Sequence, residues 1–498
     1  MPSTCRTTLL VTTALGLLFC GAAQASESST DDAIKALQAQ VDALQKQLTQ
    51  LQKKQEVRSA QSSSKTSVKK AHKKEFLPGV SFTPGGYIAA EAVWRDKNQT
   101  RSVGSDFNRG IPFYSERDAH HDEFRGSVQS TCLSLLAEGK PTDDTNLDAY
   151  LEVDFQGSAT TSTGTKTNSY VPRLRHAYMT MESEEWGGYI LVGQAYSLAT
   201  SYKSGLAPRK ESGLKVIDAS TVPGYVYTRS PSLRVVKSFA DNRAHLGLSF
   251  EGAYTYTGGI TTPTGVTISN AGAGSMANNN YSLEYAPDVI AKFAYDSDYG
   301  HYEVFGLTRF FRDIVGTSNF HKNYAMGLGA GASAYVSLVP KKLELVANVI
   351  GGRGVGRYAS ASMPDVAFTP SGDIKPITQL VGSVGLVGHP SPAWDIYLYA
   401  GAEKVMRQDY SDTTYGYGSS LIDNSGCYTQ GGTCSAQTEM VYQLTPGFWA
   451  QFYKGNMGTM KFGAQYSYTR RNAFSGLNNQ APHADENTVM VSFRYYPF

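Results

Sequence analysis

Arginines recur in this chain at short spacings. Arg173 and Arg175 stand two apart, so an extended segment places both on one face, with Leu174 and His176 on the other. Arg229 and Arg234 bracket a segment containing Pro231, and Arg309 and Arg312 close an apolar stretch. Arg353 and Arg357 sit in the run GGRGVGRY, where missing side chains leave room for guanidinium groups. A guanidinium is a planar fork of donors that matches a carboxylate. In a narrow, partly desolvated passage such forks attract and orient small anions. Glu91, Asp148, Glu152 and Asp154 are placed to oppose them and set a transverse field. For any single arginine the plainer reading is a salt bridge in a wall or a charge at a rim.

Catalytic and metal chemistry find little support. The nine histidines, among them His120, His121, His176, His245 and His301, do not stand at metal-ligand spacings. No nucleophile elbow, phosphate loop or zinc signature is present. No cofactor is expected, the protein does not read as an enzyme, and the near-balanced charge gives no reason to expect nucleic acid.

Strands must position these charges. The last, Thr488 to Phe498, sets Val489, Val491, Phe493 and Tyr495 on one face and Met490, Ser492, Arg494 and Tyr496 on the other. In Asn146 to Gln156, Leu147, Ala149, Leu151, Val153 and Phe155 alternate with Asp148, Tyr150, Glu152, Asp154 and Gln156. Carboxylates at three alternating positions are costly in a dry core, so that face must be wet. The same alternation is expected in Tyr87 to Trp94, Phe124 to Ala137, Arg173 to Met181, Tyr189 to Ala195, Val289 to Tyr295 and Tyr302 to Phe310.

Short turns are expected at 184–188, 296–300, 340–342, 389–394 and 453–460. They alternate with long polar insertions at 95–121, 157–169, 258–280, 358–376, 408–438 and 472–486. Short turns on one rim and long loops on the other are the mark of a transmembrane antiparallel β-barrel. The span from about Val80 to Phe498 accommodates about sixteen strands, an even number as bacterial barrels of this kind require. Its 32 Tyr and 4 Trp suit aromatic girdles at the two membrane interfaces. Outside residues 1–25 no apolar run is long enough for a membrane helix. A secreted all-β protein would share this composition.

The N-terminal part reads differently. Arg6, the apolar run Leu9 to Phe19 and Ala23-Gln24-Ala25 mark residues 1–25 as a signal peptide, with a mature chain from Ser26. Lipidation at Cys20 is the lesser alternative. Residues 26–54 hold a periplasmic helix whose seam is Ile34, Leu37, Val41, Leu44, Leu48 and Leu51, a heptad pattern that needs a partner. β-Branched or aliphatic residues at a with Leu at d lean toward a dimer. Residues 55–79 are a Ser- and Lys-rich linker able to meet anionic lipid or cell-wall polymer. Cys427 and Cys434, seven residues apart in a polar loop, are expected to form a disulfide, and Cys132 to be a buried small side chain.

Several stretches resemble the trimeric outer-membrane porins of the DcaP-like, dicarboxylate type. They are the leader with its short coiled coil, Gly86-Tyr87, Arg173-Leu174-Arg175-His176-Ala177-Tyr178, Val192-Gly193-Gln194-Ala195-Tyr196-Ser197, Ala286-Pro287-Asp288 with Arg309, and the aromatic C-terminus. The resemblance implies a sixteen-stranded barrel, a homotrimer in outer-membrane lipid and lipopolysaccharide, and a three-helix bundle below it, in place of the dimer. It implies that lumen arginines recognise small dicarboxylates, carried here onto Arg173 and Arg175 and then Arg229, Arg234 and Arg309, with Gln194 in the lining. One departure is Thr131-Cys132, where such porins usually carry a Ser-Arg pair. A lost lumen arginine would widen the pore or weaken its anion preference. Three functions therefore stand open: a porin preferring small anions, a non-selective or sugar-accepting porin, and a tether between outer membrane and cell wall. The loops at 95–121 and 198–228 are the two candidates to fold inward.

Overall fold

The computed structural model describes residues 74–77, 79–157, 170–217, 222–273, 280–316 and 318–498. The signal peptide, the heptad seam from Ile34 to Leu51 and most of the linker lie outside the described residues. So does the interior of the insertion at 157–169.

Sixteen wall strands follow one another, each paired antiparallel with the next. They are β1 (Val80–Arg95), β2 (in two pieces, Glu123–Ser127 and Cys132–Thr142), β3 (Thr145–Gly157), β4 (Val171–Ser183), β5 (Gly188–Tyr196), β6 (Arg229–Phe239), β7 (Ala244–Glu251) and β8 (Asp288–Asp296). Then come β9 (Gly300–Val315), β10 (His321–Val339), β11 (Leu343–Arg353), β12 (Thr378–Ser391), β13 (Trp394–Val405), β14 (Thr438–Gly455), β15 (Gly458–Ala473) and β16 (His483–Tyr496). β16 pairs with β1 from Ile88↔Tyr495 to Arg95↔Thr488, so the sheet closes into a barrel with no free edge in its wall. The expected all-β antiparallel barrel of about sixteen strands holds.

Period-two alternation builds the two faces. Val489 and Phe493 point outward and are exposed, while Met490 and Ser492 point inward and are buried. Leu147 and Leu151 point outward, opposite Asp148, Glu152 and the buried Asp154. The outer face exposes a belt of Leu, Val, Met and Phe from nearly every strand. Trp186, Tyr299, Trp394 and Tyr453 lie toward one edge of that belt, and Trp94, Phe124, Tyr285 and Tyr324 toward the other. The inner face is mixed: Glu91, Arg234, Ser249, Glu303, Glu403, Gln443 and Thr469 are buried there, beside apolar residues such as Leu191, Ile290, Ile350, Val381 and Met490 that pack under the loops.

Seven short turns lie on one rim and the long connections on the other, as the alternation of insertions predicts. The connection between β9 and β10 is the one short link on the long-loop rim. The Cys427–Cys434 disulfide forms in the connection between β13 and β14, and Cys132 is free and buried.

Two details depart from simple alternation. β2 breaks at 128–131, and the Thr131 hydroxyl fills the gap by accepting from the Ala89 amide (3.1 Å). β4 carries a bulge: Glu152 opposes His176 and Val153 opposes Leu174, so Arg175 has no cross-strand partner. A bulge turns the next side chain to the face it would otherwise avoid. His176, which alternation predicts to face away from the arginines, is therefore on the inner face, 4.7 Å from the Tyr196 ring.

Candidate functional site

Both candidate loops are buried against the inner wall. In 95–121, Val103 clusters with Val216, Val222 and Met490, and Arg471 on β15 donates to Ile111 O (2.7 Å). The connection 197–228 between β5 and β6 makes the wider set of contacts. Its apolar residues Leu198, Tyr202, Leu206, Val216, Ile217, Val222, Tyr225 and Val226 are buried. Its backbone is held by side chains of the inner wall. Glu251 on β7 accepts from Leu198 N (2.8 Å), and Glu303 on β9 from Tyr202 N (2.9 Å). Gln465 on β15 accepts from Ile217 N (3.0 Å), and Glu403 on β13 from Gly224 N (2.7 Å). Asn348 on β11 donates to Gly224 O (2.7 Å), and Trp449 on β14 to Lys215 O (2.6 Å). A fully buried Lys292–Glu303 pair (2.9 Å) also reaches the loop, through Lys292 Nζ to Thr200 O (2.8 Å). The loop thus spans the lumen from β5 to β16.

Glycines permit its closest approach. At Gly224, φ is +87°, and a side chain there would meet the Gly382 carbonyl at 2.1 Å. A Cβ on Gly401 would stand 1.9 Å from the Pro223 carbonyl oxygen.

Between this loop and the wall lie two neighbouring cavities, each of about 250 Å³. One is lined by Tyr150, Glu152, Arg175, His176, Tyr178, Tyr196, Arg209 and Glu211. The other is lined by residues that include Tyr87, Gln156, Tyr225, Tyr227 and Arg494. Arg175, Tyr196 and Glu211 belong to both and stand at the junction.

The arginines of β4 come together here. Arg173 donates to Asp154 (2.6 and 3.0 Å) and to Gln156 Oε1 (3.0 Å). Arg175 donates to Glu152 (2.5 Å), to Asp154 (3.0 Å) and to the Tyr196 hydroxyl (3.2 Å). Tyr150 donates its hydroxyl to Glu152 (2.6 Å). Arg229 stacks over Tyr196 and Tyr227, and its buried Nη1 has no hydrogen-bond partner. On the loop, burial pushes the Glu211 carboxyl above the usual range, against the opposing pull of its own backbone amide and Arg234.

The other expected residues are elsewhere. Glu91 is buried at the seam of the barrel and accepts from Ser130, Ser492 and Arg494. Arg234 is fully buried under the inner loop, donating to the Tyr202 hydroxyl (2.9 Å) and to Tyr196 O. Arg309 is buried between Asp288 (3.1 Å) and Asp365 (2.8 Å), and Arg357 packs beside it, 3.5 Å from Asp288. These three are braces between wall and loops. Arg353 is exposed and shares the outward face of Leu380. Gln194 donates to the carbonyls of Leu174 and Arg175, the groups left open by the bulge. Arg209 and Glu211 were absent from the expectation. They lie in a loop with no periodicity, and only its apolar residues hint that it is buried. Among the described residues no cluster of His, Cys, Asp and Glu could hold a metal ion.

No protein-family model and no curated protein matches the chain. Among solved structures it is similar to the outer membrane channel DcaP of Acinetobacter baumannii. That likeness has a TM-score of 0.59 at 18% identity, over 84% of this chain and 98% of that one. It is also similar to an anion-selective porin from Comamonas acidovorans, with a TM-score of 0.47 at 10% identity, over 84% of this chain and 99% of that one. The first likeness establishes a shared barrel fold. The second is too distant to add to it.

Proposed function

We propose that the protein is an outer-membrane channel for passive diffusion of small hydrophilic solutes, with a preference for small anions such as dicarboxylates. The observation that carries this reading is the inner loop, folded inside a closed barrel beside a cavity lined by Arg175 and Arg209, with Arg173 on the same Asp154 as Arg175 and Arg229 over Tyr196. The apolar outer belt with aromatics toward both edges suits a bilayer, and charged groups on a narrow inner passage suit ion discrimination. Assembly as a homotrimer belongs to this proposal, motivated by the sequence resemblance and tested by the mass of the detergent-solubilised protein.

A second reading, a weakly selective or sugar-accepting channel, is favoured by one observation. Asp154 and Glu152 already neutralise Arg173 and Arg175. Reconstitution into planar bilayers under a potassium chloride gradient decides between them. A reversal potential of the anion-selective sign supports the first and a value near zero the second. A protein that stays soluble without detergent and forms no channel would remove both.

A further inference from the structure

We propose that Arg209 is the gate of this passage, closing the first cavity by bridging the inner loop to β3. The inference rests on the channel reading. Arg209 stands on the loop and reaches the wall, with its Nη2 3.5 Å from Asp148 Oδ2 and its guanidinium 5.5 Å from the Tyr150 ring. Its backbone has φ of +67°, a conformation that non-glycine residues rarely adopt. Such a residue persists only where its surroundings hold it, and it tends to be found at switches and clamps.

The contrast with Arg175 gives the bridge its role. Arg175 is locked by three hydrogen bonds to groups on its own wall and a neighbouring ring. Arg209 makes a long ion pair whose two side chains are 36% and 25% exposed. An ion pair this wet is weak and is screened by salt. It therefore opens and closes readily, and a carboxylate entering the cavity competes with Asp148 for the same fork. Glu152 and Glu211 line that cavity with Arg209, so the solute must draw Arg209 from Asp148 while passing two other carboxylates. Arg209 is in this sense a specificity-determining residue, fixed by the loop and not by the wall.

The test is single-channel conductance of R209Q, D148N and the charge-swapped double variant R209D/D148R, each in dilute and in molar potassium chloride. Removing a side chain or a charge from a narrow passage changes its conductance. Each single variant should conduct more than the wild type in dilute salt, with the difference narrowing in molar salt as the pair is screened. The swapped variant should return to the wild-type value. Single variants with unchanged conductance, or a swapped variant as open as the singles, would overturn the gate while leaving the channel intact. A wild-type protein that forms no channel would instead overturn the reading beneath it.

Discussion

Arg494 on the last strand donates to Glu91 on the first, at 2.8 Å, and with the same nitrogen to the carbonyl of Ile217 on the inner loop. One guanidinium thus joins the closure of the barrel to the obstruction of its lumen. The pair is dry, with the Glu91 side chain wholly buried, and Ser130 and Ser492 occupy the remaining carboxylate positions. The Arg494 guanidinium also lies 4.6 Å from the centroid of Tyr87 and 4.8 Å from that of Trp449.

Replacing Arg494 by Ala should therefore cost stability and narrowness together. Removing one partner of a buried pair costs about 3–5 kcal/mol, because the other charge is left uncompensated. Unfolding in detergent should begin at lower temperature, and the surviving channels should be noisier as the loop loses a tether near Ile217. Substituting both residues, Glu91→Gln with Arg494→Met, should recover much of the stability without restoring the tether. A double variant no more stable than R494A would show that the charge left on Glu91 is not the cause.

The wall was legible in the sequence because a barrel repeats one simple rule. Leu147 to Phe155 and Val489 to Tyr495 separate their faces at every second residue, and short turns such as Asp296 to Gly300 stand out between such segments. The constriction was not legible in the same way. Loop 197–228 binds through backbone amides to Glu251, Glu303, Glu403 and Gln465, partners distant in the chain that no local pattern marks. The bulge at Arg175 is one residue of slippage, enough to turn His176 from the outer face to the inner. Arg309 and Arg357 resemble Arg173 in composition, and only their burial against Asp288 and Asp365 sets them apart. A usable signal did exist. Leu198, Tyr202, Leu206, Val216, Ile217, Tyr225 and Val226 are too apolar for a solvated loop, and Gly382 and Gly401 interrupt strands where something must come close.

Arg175 should govern ion selectivity more than Arg173 does. Arg175 is the less exposed, stands at the junction of both cavities and divides its bonds between Glu152 and Asp154. In R175A, Glu152 loses its guanidinium partner and keeps its negative charge beside the cavity, with the Tyr150 hydroxyl still donating to it. The anion-to-cation permeability ratio should fall roughly ten-fold, corresponding to about 1.4 kcal/mol. R173A should change it less, since Asp154 keeps Arg175. Equal reversal potentials in the two variants and the wild type would remove both residues from the selectivity mechanism.

Acidification should strengthen anion preference through Glu211. Burial raises its carboxyl above the ordinary value of about 4.3, so it takes up a proton at a higher pH than a free glutamate would. Each protonation removes one negative charge from the junction with Arg175. The reversal potential should therefore move in the anion-selective direction as pH falls from neutrality toward the ordinary carboxylate range. E211Q should sit at the acid-side value throughout and lose this step. A pH profile identical in E211Q and wild type would assign the titration to another group.

The last expectation concerns Gly401, where wall and loop come closest. A Cβ there would lie 1.9 Å from the Pro223 carbonyl oxygen, well inside van der Waals contact, and the atom it meets is backbone, which cannot swing aside as a side chain can. The neighbouring Gly224 is pinned by Glu403 and Asn348, so the loop cannot yield at that point without breaking two buried hydrogen bonds. Gly401→Val should therefore lift the Pro223–Gly224 corner off β12 and β13. The barrel should still close, because the β1–β16 pairing is remote from this contact. Since the loop is displaced toward β1–β4, the two cavities should shrink and conductance should drop. Gly306→Ala is the matched control, because a Cβ there meets nothing within 4 Å. If G401V conducts as G306A does, with the same ion selectivity, this glycine contact does not set the width of the passage.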